Sequence, residues 1–221
     1  MKLTILGSCR QDSLYNHYQI TNIKNNLTYP HYSKEVVQVI EFCKGISTIP
    51  HLLTQSLFRS GILNKTAFHH STFQQEYNTT DLFIIEIASR ISYQYKGHYA
   101  HHILTESKYG CQDIEAITIR DLTDEEIEAD LIRMKELLTP KPFIIIGHIY
   151  TRCVGKRYEL VQLLQRLCEK HKIPFFNPVL QTQEYSPDEL YQKEDIVAHY
   201  TPFGHSIIGK KYIEFIQSQS L

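Results

Sequence analysis

Continuous apolar runs alternate along this chain with segments of helical period. KLTIL (2–6) is apolar and β-branched and closes on Gly7, which predicts a short strand. LFIIEI (82–87), after Asp81, and FIIIG (143–147), after Pro140 and Pro142, predict two buried strands, and IPFFN (173–177) a further one. Ser33 opens a helix whose apolar face is Val36, Val37, Ile40 and Phe42, with Gly45 beyond its end. Thr123 and Glu126 make a capping box ahead of Ile127, Leu131, Met134 and Leu138. A helix from about Lys156 to His171 turns Leu160, Leu163, Leu164 and Leu167 inward. Thr201 and Pro202 start a last one carrying Ile208, Tyr212, Phe215 and Ile216.

Leu52 to Leu63 predicts a short helix within the polar stretch 46–80. Residues 91–122, rich in Tyr, His and Gly, show no strong period and predict a long loop or excursion of the kind that serves as a lid. Fully apolar strands between amphipathic helices imply an α/β three-layer sandwich with a central, mostly parallel sheet, folded as a single domain over residues 1–221.

Composition narrows the function classes. The 23 basic and 24 acidic residues among 221 give a net charge of -1, without the basic excess that nucleic-acid binding usually needs. No stretch approaches the roughly 20 apolar residues of a membrane span, and the N-terminal apolar run is too short for a signal-peptide core. The five cysteines are widely spaced with no CxxC, so neither a disulfide framework nor a zinc ribbon is expected, and a cytoplasmic location is the simplest. The expectation is therefore no nucleic-acid partner, no membrane partner and no cofactor; the oligomeric state is not legible. The 12 His and 15 Tyr, against no Trp, make position more informative than number.

In an open parallel sheet, sites form beyond the carboxyl ends of the strands. Gly7-Ser8-Cys9-Arg10 follows the first strand, Ala88-Ser89-Arg90 the second and His148 the third. Asn177, and further on Asp195 and His199, follow the fourth. A thiol and an imidazole are the materials of nucleophilic catalysis, with an acid to orient the imidazole. A residue entering a helix at a strand end meets free N–H groups, which lower a thiol's pKa and hold an oxyanion. The N–H groups of Cys9 and Arg10 are the natural donors. Arg10, Ser89, Arg90 and His148 are candidates for binding an anionic substrate group or an oxyanion.

Gly7-Ser8-Cys9 after the first strand, and His199-Tyr200-Thr201-Pro202-Phe203-Gly204-His205 before the last helix, resemble the SGNH/GDSL hydrolase superfamily. The resemblance implies a three-layer α/β fold, a nucleophile just after the first strand, and a catalytic His before the terminal helix with a Gly five residues on, as Gly204 follows His199. Aligned on Gly7, the family's nucleophile falls on Cys9, with Ser8 second. A Gly-Ser-Cys start is similar to GSCFA proteins and capsule-biosynthesis acetyltransferases. The family's acid would fall on Ile196, so Asp195 is the nearest candidate, ahead of Glu194. The family's Gly-x-Asn-Asp block is replaced by Ala88-Ser89-Arg90.

The resemblance implies an esterase or acyltransferase acting on an O-acyl, small-molecule or carbohydrate, substrate; a cysteine nucleophile tilts this toward transfer. The alternative is a binding module on the same fold, without catalysis, for a glycan or protein partner. Each residue also has a plainer role open to it. Cys9 can be packing, His199 a capping residue, Asp195 a solvated acid, His148 a core histidine and Arg90 the ion-pair partner of Glu86 or another acid. His98, His101 and His102 form H-x-x-H-H, but Tyr95, Gly97 and Tyr99 disfavour a helix there, and no metal site is expected.

Overall fold

The computed structural model describes residues 1–27, 29–109, 114–192 and 199–219. Among the described residues eight strands follow in chain order: β1 (Lys2–Leu6), β2 (Gln19–Ile20), β3 (Leu82–Ile87), β4 (Ile91–Tyr95), β5 (His98–Tyr99), β6 (Ile117–Asp121), β7 (Phe143–Gly147) and β8 (Phe175–Phe176). Five form the central sheet in the order β2-β1-β3-β7-β8, with every neighbouring pair parallel. The longer helices are α1 (Ser33–Cys43), α2 (Ser71–Asn78), α3 (Asp124–Leu138), α4 (Lys156–His171) and α5 (Pro202–Ser218).

The pleat divides the apolar strand residues between two layers, because successive side chains point to opposite faces. Leu6, Phe83, Ile85, Ile87 and Ile145 join Val36 and Ile40 of α1, Leu131 of α3 and Leu164 of α4 in one core. Leu3, Ile5, Ile84, Ile144 and Ile146 pack with Ile208, Tyr212 and Ile216 of α5 and with Leu14 in the other. Both faces are covered, which is why β3 and β7 read as unbroken apolar runs. The fold is the three-layer α/β sandwich with a central parallel sheet.

The capping box at Thr123 and the N1 proline of α5 are both formed. Three short helical pieces, His51–Leu53, Thr54–Leu57 and Arg59–Asn64, stand where one short helix is predicted. Residues 91–122 carry more regular structure than a loop. β5, β4 and β6 make a second, antiparallel sheet, joined through 3-10 turns that include His102–Thr105. Tyr32, just before α1, ties this sheet down. Its hydroxyl lies 2.8 Å from the carbonyls of both Tyr93 and Ala100 and accepts the Tyr93 N–H at 3.2 Å. The Gln38 side chain on α1 pairs with both backbone groups of Tyr99 on β5, at 2.6 and 2.8 Å. Among the described residues, no helix is long and apolar enough to cross a membrane.

Candidate active site

The central strand order reverses between β1 and β3, and the crevice at such a switch point is where open parallel sheets bind ligands. The turn after β1 enters it. Gly7 is required there by space: a Cβ would meet Gln11 Oε1 at 2.6 Å and Glu86 Cβ at 3.0 Å. Ser8 then caps the 3-10 helix Cys9–Asn16. Its hydroxyl accepts from the Arg10 backbone N–H at 3.4 Å and from Arg10 Nη1 at 3.0 Å.

Glu86 lies beneath this turn, fully buried in β3. One carboxylate oxygen accepts the Ser8 N–H at 2.9 Å and the other pairs with His148 Nδ1 at 2.7 Å. Burial alone would raise the Glu86 carboxyl, but the His148 hydrogen bond, with the Arg10 charge and the Ser8 hydrogen bond, outweighs it and holds it well below the usual carboxylate range. Burial takes His148 down to about 4 against the opposing pull of Glu86. An ionised Glu86 therefore receives Nδ1–H from a neutral imidazole, leaving Nε2 as the lone-pair nitrogen. The partner of Glu86 is thus His148 rather than Arg90, which pairs with Asp124.

A cavity of about 450 Å³ opens over Arg10, Ser89, Arg90 and His148, with Lys156 and Arg157 on its far wall. Among the described residues that line it are four cationic side chains and no carboxylate. Lys156 pairs outward with Asp121 at 2.7 Å. Arg157 is half-buried; burial and then Arg10 lower its pKa, opposed only by Glu86. Both residues begin α4 after Gly155, whose φ of 89° suits glycine and whose position gives the helix no side-chain cap. The free N–H groups and dipole of that end add to the positive field. Ser89 Oγ accepts the Ile91 N–H at 3.0 Å, so it also shapes its own turn.

Cys9 faces a different cavity, of about 630 Å³, shared with Asp12, Ser13 and His17 and with Pro202, His205 and Ser206 of α5. Burial pushes the thiol pKa up; Arg10 opposes this, while Asp12 and Glu86 reinforce it. The lowered thiol pKa expected from the strand-end position is therefore not found, because partial burial and two carboxylates outweigh Arg10. Burial lowers the His205 pKa; Asp12 opposes this, and His199 and Arg10 push it lower, which puts His199 within electrostatic reach of this cavity. The His199 carbonyl accepts the Gln192 N–H at 3.0 Å. Thr201 caps α5 through the Gly204 N–H at 2.9 Å. A Cβ on Gly204 would meet the Leu190 carbonyl oxygen at 2.3 Å, which gives that glycine a packing reason. Asp195, Glu194 and Ile196 lie outside the described residues.

The turn after β1 therefore brings together Ser8, Arg10, Glu86 and His148 on one side and Cys9 with the start of α5 on the other. The sequence reading passed over Lys156, Arg157 and His31, which also line the first cavity. The pair Lys156-Arg157 at a helix start, soon after a buried strand, was the available signal for two of them.

A family model described as the TviD N-terminal domain matches residues 1–111. The Vi polysaccharide biosynthesis protein TviD of Salmonella typhi is 22% identical over 261 aligned positions, covering 94% of this chain and 30% of that protein. The chain thus spans about a third of the curated relative it matches. Among solved structures, a protein from Slackia heliotrinireducens described as a candidate SGNH hydrolase superposes with a TM-score of 0.52 at 11% identity, over 98% of both chains. An acetylxylan esterase of Geobacillus stearothermophilus, a catalytic mutant, gives a TM-score of 0.47 at 12% identity, over 97% of this chain and 93% of that one. The three-layer fold is SGNH-like, and by the match over its first 111 residues the chain belongs to the TviD N-terminal domain family.

Proposed function

We propose that this chain is an SGNH-like enzyme that handles acyl groups, with Cys9 as the nucleophile. The observation that carries the reading is a shared cavity: Cys9, at the carboxyl end of β1, faces Pro202 and His205 in the first turn of α5, directly after His199. His199 takes the thiol proton as Cys9 Sγ attacks the acyl carbonyl. The tetrahedral intermediate collapses to a thioester, and the proton passes to the departing oxygen. A hydroxyl of a second substrate then attacks the thioester and gives its proton to His199; the C–S bond breaks, His199 returns the proton to Cys9 Sγ, and the new ester leaves, water in place of the hydroxyl giving hydrolysis. Asp195 is the candidate to orient the imidazole and Ser8 the reserve nucleophile. The backbone N–H groups of Cys9 and Arg10 are the oxyanion donors.

The cationic cavity beside the turn supports an anionic group on the substrate, held by Arg10, Arg90 and Arg157 with Ser89 at the rim. The relative's part in polysaccharide biosynthesis supports a carbohydrate as the acyl acceptor. The test is turnover of an activated acetyl or butyryl ester by the wild type, Cys9→Ala, Ser8→Ala and His199→Ala, with intact mass to trap an acyl-enzyme. Loss in Cys9→Ala and His199→Ala, with acyl mass on Cys9, supports the reading. Equal slow turnover in all four proteins overturns it.

A second reading rests on the raised thiol pKa: the fold serves as a binding module that holds an anionic ligand in the cationic cavity without catalysis. Alkylation rate against pH separates the two. An activated thiol reacts well below the pH an ordinary one needs, and an inert Cys9 favours the binding module.

A further inference from the structure

His31 and the adjacent pair His101-His102, remote from it in the chain, meet where the second sheet packs beside the end of β3. The ring centroids of His31 and His102, and of His101 and His102, are 4.4 Å apart, and those of His31 and His101 5.0 Å. One ring nitrogen from each lies within 4.8 Å of the other two. His101 is buried, and its Nε2 has no hydrogen-bond partner of ordinary geometry. Backbone contacts fix the cluster. The His31 carbonyl accepts the Ala88 and Ser89 N–H groups, both at 2.9 Å, and the His101 N–H bonds Leu57 O at 2.8 Å.

We propose that His31, His101 and His102 form a three-histidine site for a divalent transition-metal ion of the zinc class, with its fourth position open to the cationic cavity. Imidazoles bind such ions only when neutral, and burial lowers the pKa of all three, His31 to about 3. Packing three imidazoles together, with the buried His101 ring reaching only a poorly aligned contact to the Tyr29 backbone, costs stability, and an ion would offset that cost. His31 and His102 line the cavity, which supplies an entry path and room for a fourth, exogenous ligand. Zinc–nitrogen bonds of about 2.0–2.1 Å need nitrogens roughly 3.4 Å apart, so the rings must close inward by side-chain rotation. His101 Nδ1 accepts the Ile103 N–H at a long 3.3 Å. Coordination through Nε2 moves the ring proton to Nδ1 and gives up that contact.

The charged surroundings are mixed. Glu86 favours a cation at His31 and Glu106 at His102, while Arg10 and Arg59 oppose it. A three-imidazole set with an open position is borderline-soft, which suits Zn²⁺ or Co²⁺ better than Mg²⁺ or Ca²⁺. The site differs from the H-x-x-H-H pattern in the sequence: His98 lies in β5 outside the cluster, and His31 takes its place.

The test titrates chelator-stripped full chain with Zn²⁺ against a chromophoric chelator, and with Co²⁺ by absorption. One equivalent should bind, with the visible bands of a four-coordinate cobalt ion. His31→Ala and His102→Ala should weaken binding on the order of 100-fold or more, His98→Ala should not, and a Cys9→Ser/Cys153→Ser double variant should bind as wild type. Zinc should also raise the melting temperature of the wild type and not that of His102→Gln, a substitution at a half-buried position, with folding checked by circular dichroism. If His31→Ala fails to fold, His102→Gln decides. Absence of stoichiometric binding, binding unchanged in the histidine variants, or binding lost with the cysteines overturns the proposal. None of these readouts depends on Cys9 catalysis.

Discussion

Two consecutive residues, Cys9 and Arg10, line different cavities with opposite chemistry. Around Arg10 the lining carries four cations, and the nearby carboxylates are committed: Glu86 to Ser8 and His148, Asp124 to Arg90 and Asp121 to Lys156. Around Cys9 the lining includes Asp12, a thiol held protonated by burial, and His205. A single turn thus separates a surface suited to holding negative charge from one that sets a thiol beside a carboxylate and an imidazole. On the proposed reading, binding and bond-making sit on neighbouring backbone atoms, each with its own electrostatics.

The comparison breaks most visibly in kinetics. His199→Ala should lower ester turnover on the order of 10²–10⁴-fold with little change in KM. Arg157→Ala should instead raise KM for an anionic substrate by about 10–100-fold and leave kcat near wild type. Equal effects of both variants on both constants would mean that the cavities act as one. Next in size, Gly204→Ala drives a Cβ into the Leu190 carbonyl and should cost about 1–3 kcal/mol in urea unfolding while disturbing only the Cys9 side.

Glu86→Gln tests the shared wall. It weakens two hydrogen bonds to a buried charge and should destabilise by about 1–3 kcal/mol. The pH dependence carries a definite sign. His148 titrates near 4 in the fold against its ordinary 6.5, so the unfolded chain binds the proton first as pH falls. Stability should be level with respect to this group above pH 6.5 and decline from there to 4. The depressed Glu86 adds a further loss as pH drops below its ordinary 4.5. His148→Asn should flatten the upper part of that decline, read from urea midpoints across pH. The smallest effect is expected far from either cavity, where Thr123→Ala removes the α3 cap for about 1 kcal/mol.

What was legible in the sequence is what local chemistry dictates. The runs LFIIEI and FIIIG announce buried parallel strands, and Thr123 with Glu126 announces a helix start, because in each case adjacent residues carry the whole signal. β8 keeps only Phe175 and Phe176 of the predicted IPFFN, since strand length is set by pairing with β7. The second sheet escaped because β6 is largely exposed and its strands mix Tyr, Ser, Gln and Thr, so no clean alternation survives. At the candidate site, Cys9 and the α5 start are legible from position beside Gly7 and Pro202, and they share a cavity. The pairing of Glu86 with His148 was not, because 62 residues separate them and only the register of β3 against β7 brings them together. His31 joins His101 and His102 by the same kind of tertiary accident of sequence.

The Tyr32 hydroxyl also bears on how the molecule assembles. Its carbonyl contacts span 61 and 68 residues, so the small sheet docks through non-local closure while α1 and α3 form from neighbours in the chain. Long closures are slow, since their entropy is lost before any contact compensates it. The wall of the cavity that carries His102 and Tyr93 is then the last part to set, and Tyr32→Phe should lower stability chiefly by speeding unfolding, with the refolding rate little changed.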